Sequence, residues 1–411
     1  MAINAADTVW ILISSALVML MTPGLALFYG GMARRKNLLS TIMMSFTALG
    51  VIGVLWVLYG YSLAFGSDLG GFIGDLDYLG LMSVGQEPSS IYASTIPHLA
   101  FMVFQGMFAI ITVALITGSV VERMKFSALL VLSILWLTLI YCPVAHWVWG
   151  DGGWLAGIGA LDFAGGAVVH INAGVSALAL VMLLGRRRNF PKEVMEPNNI
   201  PMVVLGTGLL WFGWFGFNAG SALAVDGLAT SAFVATNLSA ASAATTWMVI
   251  SWLHRRPSLL GIITGAVAGL VAITPAAGFV NPIAAIPIGI VVALISYYSI
   301  VLIKTKLNFD DSLDVFAVHG MGGIWGALAT GIFATLGVNP GGASGLIEGN
   351  GTQVLIQFIS IITVAAFAFA GTWILAKLVD MVIGLRVGQK EEMVGLDLSQ
   401  HGERAYGGSL R

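Results

Sequence analysis

Two histidines stand inside long apolar stretches of this chain, in AVVHINAG (167–174) and FAVHGMGG (316–323). Both fit the pattern Val-His-x-x-x-Gly. The first copy is Val169, His170 and Gly174; the second is Val318, His319 and Gly323. A neutral imidazole donates one hydrogen bond, accepts another, and can pass a proton from one nitrogen to the other. Two such rings at equivalent places could share one hydrogen bond and leave their other nitrogens facing a path. Metal binding is the rival use of histidine. No Cys, Asp or Glu falls within a helical turn of either residue, so a ligand set is not in sight. An acid precedes each histidine, Asp162 by eight residues and Asp314 by five. Eight residues of helix rise about 12 Å, which places His170 deep in its apolar surroundings.

Composition says what those surroundings are. Of 411 residues, 58% are hydrophobic and 9% charged, where a soluble domain carries roughly 25% charged residues. Lipid, not water, must face most of this surface. A helix crosses the hydrocarbon with about 20 apolar residues, so the length allows roughly ten or eleven crossings. A closed barrel would need short alternating strands. The apolar runs here are continuous and longer, which predicts helices. The net charge is −2 and no basic patch carries interleaved aromatics, so nucleic acid is not an expected partner. The single cysteine, Cys142, excludes an intramolecular disulfide. No cofactor is expected. The 52 glycines suit close helix packing in a bilayer.

Eleven spans are expected, near 8–31, 41–65, 97–120, 127–148, 162–184, 201–222, 231–253, 258–275, 283–303, 314–335 and 353–379. The 18 Lys and Arg residues all lie after odd-numbered spans or at the end of the last one and beyond it. The positive-inside rule then puts the N-terminus outside and the C-terminus in the cytoplasm. The opening MAINAADTVW has no base before its apolar run, so an uncleaved first helix is expected rather than a signal peptide. Residues 1–380 form one transport domain in this reading, and 381–411 a cytoplasmic tail.

Spans 5 and 10 carry the histidines, and each closes a block of five helices. The blocks are about 8–184 and about 201–335, with the eleventh helix at 353–379. An odd number of spans per block turns the second block upside down. Inverted repeats place a substrate path at their interface near the midplane. An ionisable residue inside a span marks function by default.

Several longer segments resemble the ammonium transporters, the Amt/Mep/Rh family, and its Amt branch in particular. They are DFAGGAVVHINAG (162–174), WFGWFGFNAGSA (211–222), the DVFAVHGMGG segment and the tail GLDLSQHGERAY (395–406). The resemblance implies an all-α membrane protein of eleven helices, a homotrimer with one pore per subunit, ammonium and methylammonium as substrates, and no enzyme chemistry. It implies a plasma-membrane location and a PII-type signal protein as a partner at the cytoplasmic face. It also assigns residues. Phe104, Phe108, Trp149 and Ser221 match an outer site that recruits the cation. Phe108 and Phe217 match a stacked pair closing the pore. His170, His319 and Trp214 match its conducting section. Asp162 matches an acid near the entrance, expected to cap helix 5 and accept backbone hydrogen bonds.

Two details stay open at this level. Asp151, in WGDGGWLAGIGALD (149–162), either concentrates cations at the mouth or is a plain loop residue. GASG (342–345) faintly resembles the loop of a serine nucleophile, but no partner histidine lies on a nearby span. Two further functions compete with transport of the ion: a neutral-gas channel of Rh type, and a sensor signalling through its tail.

Overall fold

The computed structural model describes residues 2–406, so the last five residues of the expected tail lie outside the described residues. Eleven apolar helices follow one another: α1 (Ala5–Met32), α2 (Arg35–Phe65), α3 (His98–Thr117), α4 (Phe126–Gly157), α5 (Gly166–Leu184), α6 (Ile200–Gly220), α7 (Gly227–His254), α8 (Leu259–Ile273), α9 (Pro282–Lys306), α10 (Phe316–Phe333) and α11 (Gly351–Val382). Ten are long and apolar enough to cross a membrane. The exception is α8, whose 15 residues rise about 22 Å against a hydrocarbon core of about 30 Å. The expected count of eleven crossings thus comes down to this one short helix.

Polar residues start these helices where lipid gives way to water. The Asn4 side chain accepts from the amides of Ala6 and Asp7, Asn199 from Met202, and Asp226 from Ala229. Each occupies donors that the first turn cannot pair internally. Among the described residues, strands occur only in the segment between α2 and α3, as two short hairpins: β1 (Asp68–Leu69) with β2 (Ile73–Gly74), and β3 (Pro88–Ser89) with β4 (Ala93–Pro97).

The two histidine helices cross at their glycines. A Cβ on Gly174 would collide with the backbone of Gly320, the residue after His319. A Cβ on Gly323 would lie 2.9 Å from the carbonyl of Gly166 and 3.0 Å from the His170 Cβ. So the Gly of each Val-His-x-x-x-Gly motif makes room for the segment around the other histidine. Both histidines also sit in a π-helical turn, Gly166–Ile171 in α5 and Phe316–Gly320 in α10. Such turns are rare and recur at functional sites.

The loops that carry the bases meet at one end of the bundle. Glu122, after α3, pairs with Arg34 at 2.6 Å and Arg187 at 3.4 Å; Arg187 also holds Asp310 at 2.7 Å. Burial pushes the Glu122 carboxyl up, but Arg187 and Arg34 outweigh it and hold it below the ordinary range. The tail folds onto the same end through α12 (Gln389–Val394) and α13 (Leu396–His401). Asp397 accepts from the Ser40 amide at 2.8 Å, and the Asn37 side chain from Leu396 at 2.8 Å. Glu392 accepts from Arg386 and from the amide of Arg188.

Candidate functional site

Asp162 stands just before α5, and the chain reaches that helix through Gly165 at φ 114, a left-handed turn that glycine adopts without strain. The turn folds the first amides of α5 back over the Asp162 carboxylate. Oδ1 accepts from Gly165 and Gly166 at 2.9 and 2.5 Å, and Oδ2 from Ala167 and Val168 at 2.8 and 3.2 Å. The second repeat has a counterpart that the sequence reading missed. Asp311 precedes His319 by the same eight residues, is buried, and accepts from the Phe316 amide at 2.8 Å. Burial, and then the nearby Asp314 charge, push its carboxyl up to about 6. Asp314, the acid nearest His319 in sequence, instead pairs with Lys304 at 2.7 Å. The identical spacing was the signal.

At the end opposite the basic loops lies a cavity of about 360 Å³. Trp149, Phe108, Ser221 and Asp162 line it, together with Gln105 and Tyr92, which the sequence reading did not single out. The Trp149 indole N–H donates to the Asp162 carbonyl at 2.9 Å, which fixes the ring. The Ser221 hydroxyl donates to the Phe217 carbonyl at 2.8 Å, so its oxygen keeps lone pairs for an incoming donor. Phe104 is fully buried behind Phe108, ring centroids 4.9 Å apart and edge to face, and is not among the lining residues. Asp151 is exposed, and its amide donates to the Tyr92 hydroxyl at 3.1 Å.

Below the cavity the rings of Phe108 and Phe217 stack, centroids 4.2 Å apart. Next comes a space of only about 10 Å³ lined by His170, His319, Trp214, Phe217 and Phe28 among aliphatic side chains. That volume holds about one water-sized molecule. Nδ1 of His170 and Nδ1 of His319 are 3.2 Å apart. Trp214 stacks on His170 at 5.4 Å and donates its N–H to Thr274 at 2.9 Å. Nε2 of His170 has no protein partner. One shared proton on the Nδ1 pair fixes the tautomers of two neutral rings. One Nε2 must then be a donor and the other an acceptor.

Two other histidines are engaged elsewhere. His98 bonds Tyr61, and His146 bonds the Ala64 carbonyl and Asp68. Ser344, the serine of GASG, donates to Glu348 at 2.6 Å.

A sequence profile described as the Ammonium Transporter Family matches residues 9–406. The chain belongs to the ammonium transporter family. It is 49% identical over 405 residues to the ammonium transporter of Bacillus subtilis, covering 98% of this chain and 99% of that one. It is 51% identical over 400 residues to the ammonium transporter Amt1 of Archaeoglobus fulgidus, covering 97% and 99%. The crystal structure of Mep2 from Candida albicans superposes with a TM-score of 0.90 at 39% identity, covering 98% of this chain and 91% of that one. A structure described as Sensor Amt Protein gives 0.90 at 29% identity, covering 96% and 98%. This ammonium transporter is thus a multi-pass helical membrane protein and not an enzyme. The helix crossing and the histidine pair described above are its own geometry.

Proposed function

We propose that ammonium is captured as a cation in the outer cavity, loses its proton there, and crosses as ammonia past His170 and His319, with the proton following separately. The observation that carries this reading is the histidine pair in its apolar constriction. An isolated charge pays heavily to leave water for such a space. A neutral ammonia does not, provided it keeps hydrogen bonds, and the two Nε2 atoms offer it one acceptor and one donor. The cavity above suits the ion instead. The face of Trp149 attracts a cation, the ring of Phe108 stands beside it, and the Ser221 oxygen accepts one of its hydrogens. Phe104 supports the cage from behind. Phe108 and Phe217 act as the gate, and Trp214 as a wall of the conducting section. Asp162 shapes the entrance without touching substrate. The cation cage favours this reading over a neutral-gas channel.

The test pairs two measurements on one preparation. A rapid ammonium step over the protein in a supported membrane should give a net inward positive current, alongside uptake of labelled methylammonium. His170→Ala or His319→Ala should abolish or alter the current in protein that stays folded. Full flux with no current in the parent would show an electroneutral channel and end the relay role of the histidines. A Trp149→Leu change should weaken competition by ammonium for methylammonium uptake by about 1–2 kcal/mol, or roughly five- to thirtyfold. Unchanged competition would leave Trp149 as packing alone.

The wider reading is a homotrimer in the plasma membrane, each subunit with its own pore, N-terminus outside and tail inside. A PII-type signal protein would dock on the basic end, where loops and tail are joined. The orientation can be read with single cysteines in a Cys142→Ser background. Cysteine at exposed Lys192 should resist an impermeant thiol reagent added outside, and cysteine at exposed Leu76 should react. The opposite pattern would invert the topology.

A further inference from the structure

α11 carries two carboxamides in an apolar run, Gln353 and Gln357 in TQVLIQFIS (352–360). Four residues apart, they share one helix face. Both are almost closed to water, at 2% and 1% exposed. A carboxamide buried in apolar surroundings costs free energy unless it finds partners. These two find most of theirs in residues 158–165, between α4 and α5, which form no helix or strand.

Gln357 grips one residue at both of its backbone groups. Its Oε1 accepts from the Leu161 amide at 2.7 Å, and its Nε2 donates to the Leu161 carbonyl at 2.7 Å. Nε2 also donates to the Ala327 carbonyl of α10 at 3.1 Å. Gln353 donates to the Gly159 carbonyl at 3.0 Å and to Oε1 of Gln357 at 3.4 Å. Two donated and two accepted bonds use the whole capacity of the Gln357 carboxamide. The Leu161 carbonyl belongs to the same peptide unit as the Asp162 amide. Asp162 in turn caps α5 and offers the carbonyl that fixes the Trp149 ring. A line of direct contacts therefore runs from α11 through Leu161 and Asp162 to Trp149. Neither glutamine is among the residues lining the outer cavity.

We propose that Gln357, supported by Gln353, is a positioning residue for recruitment of the cation: it holds the peptide before Asp162 and so sets where the face of Trp149 stands in the outer cavity. This rests on the recruitment reading given above and adds to it the part of α11 on which the site depends. A leucine at 357 would fill much of the space but leave the Leu161 amide and carbonyl unpaired. The peptide would then turn toward other partners, and the Trp149 ring would lose its fixed place.

Uptake of labelled methylammonium into proteoliposomes, resolved into apparent KM and Vmax, tests this. Gln357→Leu should raise apparent KM roughly three- to tenfold, a part of the loss expected for Trp149→Leu, with Vmax changing less. Gln353→Leu, which keeps both Leu161 bonds, should raise it by a smaller factor and carries the test where Gln357→Leu does not fold. In Gln357→Leu/Trp149→Leu the two losses should not multiply, because one acts through the other. Thr372→Val is the control. It removes a buried hydroxyl that donates to Ser176 at 2.8 Å and accepts from Trp136 at 3.0 Å, about 22 Å along the same helix. It should lower the melting temperature and leave KM in place. The proposal is overturned by an unchanged KM in the glutamine variants, by fully multiplied losses in the double variant, or by an equal rise in Thr372→Val. A parental KM in Trp149→Leu would remove the recruitment reading itself. A raised KM there with none in Gln357→Leu would remove the positioning role alone.

Discussion

Asp162→Ala is expected to cost several kcal/mol of stability and to abolish transport in what remains. Its two oxygens take all four amides from Gly165 to Val168. Those donors lie under residues almost closed to water, with Asp162 itself 8% exposed. Each donor left without a partner costs about 1–3 kcal/mol. The sum is comparable to a large part of the 5–15 kcal/mol that folding usually leaves. The same turn holds the carbonyl that fixes Trp149, so the outer cavity would lose its wall as well. Asp162→Asn should fall between, because one carboxamide oxygen replaces two acceptors. Asp311→Ala removes a single observed side-chain bond and should be the milder change. Thermal unfolding in detergent and methylammonium uptake in proteoliposomes read both effects. An Asp162→Ala protein as stable as its parent would refute the capping role.

Gly174→Ala should be nearly as damaging, from a single carbon. The new Cβ would meet the Gly320 backbone, not the end of a flexible side chain. The helices would have to part, and overpacking of this kind costs about 1–3 kcal/mol or more. Parting them also separates the Nδ1 atoms now 3.2 Å apart. Uptake should therefore fall further than the melting temperature suggests. Gly323→Ala has 2.9–3.0 Å of clearance and should be softer on both counts. Retention of stability and uptake by Gly174→Ala would mean that the crossing does not set the pore.

Much of this molecule is legible in its sequence because lipid imposes simple rules. Apolar runs give the helices, and the placing of Lys and Arg groups the loops that the structure gathers at one end. The spacing of the two histidines gives their meeting. What escapes depends on contacts distant in sequence. Asp314 reads as the acid of the second repeat because it is nearest to His319, although Asp311 repeats the eight-residue interval. Tyr92 reaches the outer cavity only through the fold of the segment between α2 and α3. Phe104 and Phe108 share one helix face, and nothing in their spacing says that one hides behind the other. Arg123 and Arg187 lie among the bases after the odd-numbered spans, yet both are buried, because Asp310 reaches each of them from another loop and Glu122 reaches Arg187. The π-helical turns leave no pattern in composition at all.

The glycine crossing has a mechanical meaning. Where two helices touch backbone to backbone, any closer approach meets main chain rather than a yielding side chain, so the crossing of α5 and α10 resists compression. The crossing thereby sets how near the two histidine segments can come. On the proposed path, control would fall to the two mouths: rotation of the Phe108 and Phe217 rings above, or an object seated on the joined loops and tail below.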